Sequence, residues 1–273
     1  MPDAFFLDLD GTLYSGGAPI PGAAAALTAL RARGTPCRFL TNTTTVSRTG
    51  IAARLRGYGF EVAESEIVTP LMPAVAILKE AGIRTVIPFV PEGALEDLRE
   101  FELVGGTSRV PQIGTDSTVL PDLTALSALI IGDLGAHWTF DLLQSAFEAL
   151  STGARFLALS RDRFFHSRRG LQLDAGPFVV ALEFASGREA EVVGKPSAAY
   201  YARALATLDP PLPPGRVAMV GDDLWSDIQG AQRAGCQGWL VRTGKFREPL
   251  LRDSGIVPDR ILTSAADLGA PAT

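Results

Sequence analysis

Phe5-Phe6-Leu7-Asp8-Leu9-Asp10-Gly11-Thr12-Leu13-Tyr14 is an apolar run that ends in two carboxylates with one leucine between them, then breaks into a turn signal. Side chains alternate along a strand, so a strand over 5–10 would turn Asp8 and Asp10 the same way at its carboxyl end. Gly11 lets the chain bend away at that point. Ligands of open α/β sheets bind at such strand ends, which makes the carboxylate pair a candidate site.

Three more short segments follow apolar runs in the same manner: Thr41-Asn42, Lys195, and Asp222-Asp223 with Asp227. Parallel strands of one sheet would gather all four at one edge. The set holds clustered carboxylates, an ammonium, a hydroxyl and an amide, an inventory suited to a phosphoryl group bound with a hard divalent cation. Mg²⁺ prefers oxygen donors and takes one or two protein carboxylates, a role that Asp8 and Asp222 fit. A carboxylate held against a divalent cation and an ammonium stays ionised and can attack phosphorus. Lys195 would hold that carboxylate and neutralise the transferring oxygens. Asp10 lacks the demand to bind metal through its side chain, and could protonate the leaving oxygen and then activate water. Acidic residues also cap helices, and that plainer role suits Asp223 best.

The elements needed to position these groups are legible. A strand over 5–10 leads through Pro21-Gly22 to a helix over 22–33 stopped by Gly34; Cys37–Leu40 forms the next strand, and a helix follows over 47–57 with Ile51, Leu55 and Tyr58 at helical spacing. Later, Val192-Val193-Gly194 precedes Lys195 and a helix over 197–207, Val217–Val220 precedes Asp222 and a helix near 226–234 that stops at Gly235, and Trp239–Val241 forms another strand. Repeated βα units predict a parallel sheet. The middle third has strands near 84–90, 128–131 and 155–160, a helix over 139–150, and a Pro/Gly-rich stretch from Val104 to Pro121. It reads as an inserted domain over 79–185 between core segments 1–78 and 186–273. Ala23 to Leu30 and the stripe Phe140, Leu143, Phe147, Leu150 are expected to face the core, and Trp225 to pack between core and insert.

At 273 residues and 47% hydrophobic, the chain can fill a substantial core, and predominant disorder is excluded. A net charge of −5 without a long basic run argues against nucleic acid as a partner. No segment approaches the roughly 20 apolar residues of a membrane span. Neither a signal peptide nor a membrane partner is expected. Cys37 and Cys236 read as reduced core thiols, which points to the cytoplasm. His137 and His166 have no partner at metal-ligand spacing, so no zinc site is expected.

Asp8-Leu9-Asp10-Gly11-Thr12-Leu13 resembles the first motif of the haloacid dehalogenase superfamily; Thr41-Asn42 resembles its second, Lys195 its third, and Gly221-Asp222-Asp223-Leu224-Trp225-Ser226-Asp227 its fourth, G-D-x-x-x-x-D. The insert resembles the type-2 (C2) α/β cap of the NagD-like branch. Arg169–Phe178, Ala181–Phe184, Glu191–Ser197 and Val241–Arg247 are similar to the group of phospholysine phosphohistidine inorganic pyrophosphate phosphatase-like proteins. The resemblance implies a Rossmann-like parallel-sheet core with this cap, which would exclude bulk water and choose the leaving group. It further implies a Mg²⁺-dependent phosphatase acting on a small phosphorylated substrate, with Asp8 as nucleophile and Asp10 as acid/base. Thr41 and Lys195 become phosphate ligands, Asn42 orients the phosphate or the entering group, Asp222 binds metal, and Asp10 reaches the metal through its backbone carbonyl. Asp227 would position Lys195 or a water on the metal. Relatives with this type of cap often dimerise through it, so a homodimer through the cap stays open.

A phosphomutase shares the covalent half-reaction and stays open. A phospho-accepting signalling domain also sets an acidic cluster, a Thr and a Lys around Mg²⁺, but needs neither Asp10 nor an insert. A dinucleotide-binding protein would have G-x-G-x-x-G where this chain has Asp-x-Asp-Gly. In the insert, Arg161, Arg163, Arg168 and Arg169 surround His166, most simply as a solvated loop and otherwise as contacts to the leaving group or a second phosphate. Arg163→Ala and Arg168→Ala should each raise KM for a preferred substrate under the second reading, and steady-state kinetics that match the wild type would remove it.

Overall fold

The computed structural model describes residues 1–109, 126–167 and 170–269. Contacts divide the chain into two units: Met1–Thr41, Arg48–Val68 and Lys195–Thr273 form the first, and Asn42–Ser47 with Thr69–Gly194 the second.

The first unit is built on a six-stranded parallel sheet ordered Arg260–Leu262, Gln237–Val241, Val217–Gly221, Ala4–Asp8, Cys37–Leu40, Ile67–Val68. Its central strand, Ala4–Asp8, is buried throughout. Strands covered on both faces need continuous apolar runs, and Ala-Phe-Phe-Leu supplies one. On the helix Ala23–Ala32, Ala23, Ala26, Leu27 and Leu30 are buried, the expected face. Ile51 and Leu55 are buried on Arg48–Gly57, whereas Tyr58 lies past that helix and packs against Tyr14, ring centroids 5.4 Å apart.

The first strand ends at Asp8, two residues short of the sequence expectation. Leu9 O accepts from the N–H groups of Thr12, Leu13 and Tyr14, and Gly11 N–H donates to Tyr14 O at 2.7 Å. That curl takes Asp10 out of the strand and leaves it in an isolated bridge to Tyr14, so strand alternation does not place it beside Asp8.

The second unit has its own five-stranded parallel sheet, ordered Glu191–Val192, Arg155–Ala158, Ser127–Ile131, Thr85–Phe89, Glu102–Leu103. Alternate residues serve opposite faces. Ile87, Phe89, Leu129, Ile131 and Phe156 pack with Ala146, Leu150, Val179 and Leu182, while Val86, Ala128, Ile130 and Leu157 pack with Leu71, Ala74 and Leu78. Helices Leu71–Glu80 and Gly176–Ser186 therefore belong to this unit, and the expected boundaries at 79 and 185 fall inside them.

Three further expectations change. Glu191–Val192 extends the second unit's sheet, so Lys195 does not follow a strand of the first. Phe140 is 78% exposed because it opens its helix just after the Thr139 cap; Ala146, Ala149 and Leu150 carry the buried face. The arginine-rich loop contains an antiparallel hairpin, Phe164–Ser167 with Gly170–Leu173; Arg161 pairs with Glu183 at 2.7 Å, and Arg168 and Arg169 lie outside the described residues. Most of the Pro/Gly-rich stretch does too. Cys37 and Cys236 are buried and free, and burial pushes their thiols up to about 12 and about 11. No helix among the described residues is long and apolar enough to cross a membrane.

Leu7 sits in the central strand, level with Phe39 on one side and Val220 on the other. Leu7→Ala should destabilise the protein by about 2–5 kcal/mol, measured by chemical denaturation, because its close-packed neighbours relax only partly into the cavity.

Candidate active site

Strand register assembles the site. Asp8 lies level with Leu40, the residue before Thr41, and Leu7 lies level with Val220, so the strand after Gly221 delivers Asp222 to the same edge. Lys195 arrives differently, at the point where the chain returns from the second unit to the first. Its ammonium is buried, donating to Asp8 Oδ1 at 2.5 Å and Asp227 Oδ1 at 2.7 Å. Carboxylate oxygens of Asp8, Asp222 and Asp227 all lie within 4.8 Å of one another, in a group that contains no histidine.

Charge in this cluster is unbalanced. Burial alone would drive the Lys195 ammonium toward its neutral form, but Asp227 and Asp8 outweigh it and hold its pKa well above the usual lysine value. Burial first, then the charges of Asp8 and Asp227, raise the Asp222 carboxyl well above the usual carboxylate range. Asp227 is pushed up to about 7, chiefly by burial, against the pull of Lys195. One ammonium thus faces three buried carboxylates. A hard divalent cation among these oxygens would meet the remaining charge, and the all-oxygen donor set is the kind such cations take.

Two glycines make room for Asp222. Gly11, at φ +91°, and Gly244, at φ +58°, both approach its carboxylate so closely that a Cβ at either position would overlap Oδ2. Gly221 leaves equivalent room for the Asp227 carboxylate. Around them, Thr243 Oγ1 donates to Gly11 O at 2.5 Å and Lys245 N–H donates to Asp222 Oδ2 at 2.6 Å. The Thr243-Gly244-Lys245 loop therefore fixes Asp222, a role that nothing in its sequence announced.

The residues after Gly221 form a π-helical turn, Leu224–Gln229, followed by a short α-helix, Gly230–Arg233, instead of one helix. Asp223 caps it, accepting from Trp225 and Ser226 N–H at 3.0 Å each. Its carboxyl is held below the usual value: burial opposes this, and Lys245 with the two backbone bonds prevails. Both Asp227 oxygens are engaged, Oδ1 with Lys195 and Oδ2 with Asp223 N–H at 3.2 Å. Trp225, expected in packing, is 48% exposed.

Asp10 is exposed and its carboxylate is not part of the three-oxygen cluster. Partial desolvation, then the Asp8 charge, raises its pKa. Thr41 is buried at the end of its strand, with its N–H donating to Val68 O at 3.2 Å. Asn42 belongs to the second unit, where its Nδ2 donates to Asp162 Oδ2 at 3.2 Å. Asp8, Lys195, Asp222 and Asp227 are thus brought together, with Thr41 one strand away.

Buried carboxylates around an ammonium, at the carboxyl edge of a parallel sheet, are the equipment of a phosphohydrolase. A haloacid dehalogenase-like hydrolase family model matches residues 5–104, and a second, HAD-hydrolase-like, matches residues 192–268. The rat haloacid dehalogenase-like hydrolase domain-containing protein 2 is 35% identical over 249 residues, covering 89% of this chain and 85% of its own. Human phospholysine phosphohistidine inorganic pyrophosphate phosphatase is 33% identical over 273 residues, covering 96% and 92%. Among solved structures, p-nitrophenyl phosphatase from Archaeoglobus fulgidus superposes with a TM-score of 0.84 at 29% identity, covering 98% of both chains, and NagD from E. coli K-12 with 0.81 at 25%, covering 97% and 98%. The chain belongs to the haloacid dehalogenase-like hydrolases, in the NagD-like branch. It is a phosphatase of that family, with a parallel-sheet core and a cap.

Replacing Asp222 by Asn keeps an acceptor for Lys245 N–H and removes one of the three buried charges. Asp222→Asn should raise the melting temperature in EDTA by a few degrees, the shift that about 1–2 kcal/mol gives in a chain of this size, and should abolish any further rise on adding Mg²⁺. Calorimetric melts of both proteins in each condition would measure this; an Asn variant that melts below the wild type in EDTA would contradict the imbalance.

Proposed function

We propose that the protein hydrolyses a small phosphate compound with Mg²⁺, through an aspartyl phosphate on Asp8. The observation that carries this reading is the buried Lys195 ammonium, shared between Asp8 and Asp227 beside Asp222. Asp8 and Asp222 would hold the ion, with the backbone carbonyl of Asp10 as a further donor; bound there, it would neutralise phosphate oxygens and complete the charge balance.

An oxygen of Asp8 attacks phosphorus and the bond to the leaving oxygen breaks. Lys195 offsets charge on the transferring oxygens while Asp227 keeps its ammonium in place. Asp10, outside the ion-paired cluster, gives its proton to the leaving oxygen. It then takes a proton from the water that attacks the aspartyl phosphate, which releases inorganic phosphate and restores the Asp8 carboxylate. Thr41 and Asn42 are assigned to the phosphate itself.

The names of the relatives supply the first substrates to try: inorganic pyrophosphate, phosphohistidine, phospholysine and p-nitrophenyl phosphate. Sugar and cofactor phosphates complete the panel. Phosphate release is expected with Mg²⁺ and not with EDTA, and Asp8→Asn should lower kcat by on the order of 10⁴ or more, since no other group replaces the nucleophile. A variant that keeps a tenth of wild-type turnover would sink the covalent mechanism. Lasting aspartyl phosphate with little release would instead favour a phospho-accepting protein, and phosphate moved between substrate carbons a mutase.

A further inference from the structure

Helix Ala198–Leu205 begins three residues after Lys195, with Ser197 as its N-cap accepting from Tyr200 N–H at 3.2 Å. Its first two turns bury two adjacent tyrosines, Tyr200 and Tyr201, neither of them exposed to solvent. Their hydroxyls go to different places. Tyr200 OH lies 2.8 Å from Thr41 O and 2.6 Å from Val68 O, and accepts from Thr41 N–H at 2.9 Å. Tyr201 OH lies 2.7 Å from Ser226 O and 3.1 Å from Asp227 O, in the π-helical turn that carries Asp227.

Packing alone does not ask for these hydroxyls. A phenylalanine would fill the same space, and a phenol buried in the core costs free energy unless its oxygen is bonded. Each hydroxyl instead bonds backbone that carries a site residue outside the regular strands and α-helices: the residue just past the Cys37–Leu40 strand, and a turn whose widened π geometry marks a local departure from α-helix. Burial raises both phenols above the usual tyrosine value, so they remain donors throughout the physiological range.

We propose that Tyr200 and Tyr201 are positioning residues that tie the Lys195 helix to the two backbone segments presenting Thr41 and Asp227, with separate consequences for phosphate and for metal. This rests on the reading of the site given above. Within seven consecutive residues, 195–201, the chain supplies the ammonium on Asp8 and Asp227, the hydroxyl on Thr41 and the hydroxyl on the Asp227 turn. The first turns of one helix thereby set the spacing of three strand-end segments, and a displacement on the ångström scale at such a site is expensive in rate. Tyr200 acts through the Thr41 backbone, and so on phosphate. Tyr201 acts through the Asp227 turn, and so on Lys195 and on the carboxylates that would hold the cation.

Tyr200→Phe and Tyr201→Phe separate these roles, each leaving buried carbonyls without a hydroxyl donor. In Tyr200→Phe, KM for a phosphate substrate and the inhibition constant of inorganic phosphate should rise about three- to tenfold, with Mg²⁺ affinity by titration calorimetry on the substrate-free protein unchanged. In Tyr201→Phe the Mg²⁺ dissociation constant should rise by a similar factor, with KM at saturating Mg²⁺ close to wild type. Two results would overturn the proposal: both variants indistinguishable from wild type in all three constants, or both constants weakened equally in each variant along with the melting temperature, which is general loosening. Asp8→Asn assayed alongside keeps the two ideas apart. If its turnover collapses while the tyrosine variants behave as wild type, the phosphatase reading stands and the brace falls; if Asp8→Asn stays active, the reading beneath it fails first.

Discussion

Lys195 is the constraint on which the rest of the site depends. An ammonium is stable in a protein interior only when paired and bonded, and here the pairing comes from two carboxylates that sequence separates from it by 187 and 32 residues. Those carboxylates are themselves buried and could not share the space without it. The cluster thus forces the carboxyl ends of the Ala4–Asp8 and Val217–Gly221 strands together, which their apolar registers also require. Core packing and charge pairing point to the same arrangement, the consistency that marks a sequence specifying one structure.

Much of this was legible beforehand, for physical reasons. Continuous apolar runs such as Phe5-Phe6-Leu7 and Val217–Val220 can be little else than buried strands, and a βα rhythm makes them parallel. Parallel strands in one sheet must end on one edge, so the four short segments could be grouped without any coordinates. What failed were inferences that extended regularity too far. Strand alternation alone puts Asp10 beside Asp8, yet three N–H groups converging on Leu9 O curl the chain first. Val192-Val193 reads as a strand before Lys195, but an apolar pattern does not carry which of two sheets the strand joins, and Glu191–Val192 pairs in the second.

The groups missed altogether act through backbone atoms. Thr243 and Lys245 hold Gly11 and Asp222 by one hydroxyl and one N–H, and neither contact has a signature in residue type or spacing. Glycine gave a partial signal. Gly11, Gly221 and Gly244 each stand where a Cβ would occupy the space of a carboxylate, so the glycine in each motif marks how closely backbone must approach a charged side chain. Gly11 and Gly221 sit next to carboxylates in sequence, whereas Gly244 lies between Thr243 and Lys245. Tyr200 and Tyr201, by contrast, satisfy the apolar pattern of an amphipathic helix, and a pattern counts their rings without seeing where the hydroxyls go.

This arrangement also bears on stability. An interior assembled for folding alone would not bury three carboxylates around one lysine; replacing such a set with well-packed apolar residues is commonly neutral or stabilising. The chain instead carries Asp222 with its carboxyl raised far from its ordinary state, lodged between two glycines that leave it room. Lys245 N–H donates to its Oδ2 at 2.6 Å. Such a group adds nothing to folding that an asparagine would not add. What an asparagine lacks is charge, so the retention of a carboxylate here is best understood as a demand of the chemistry, met against the preference of the fold.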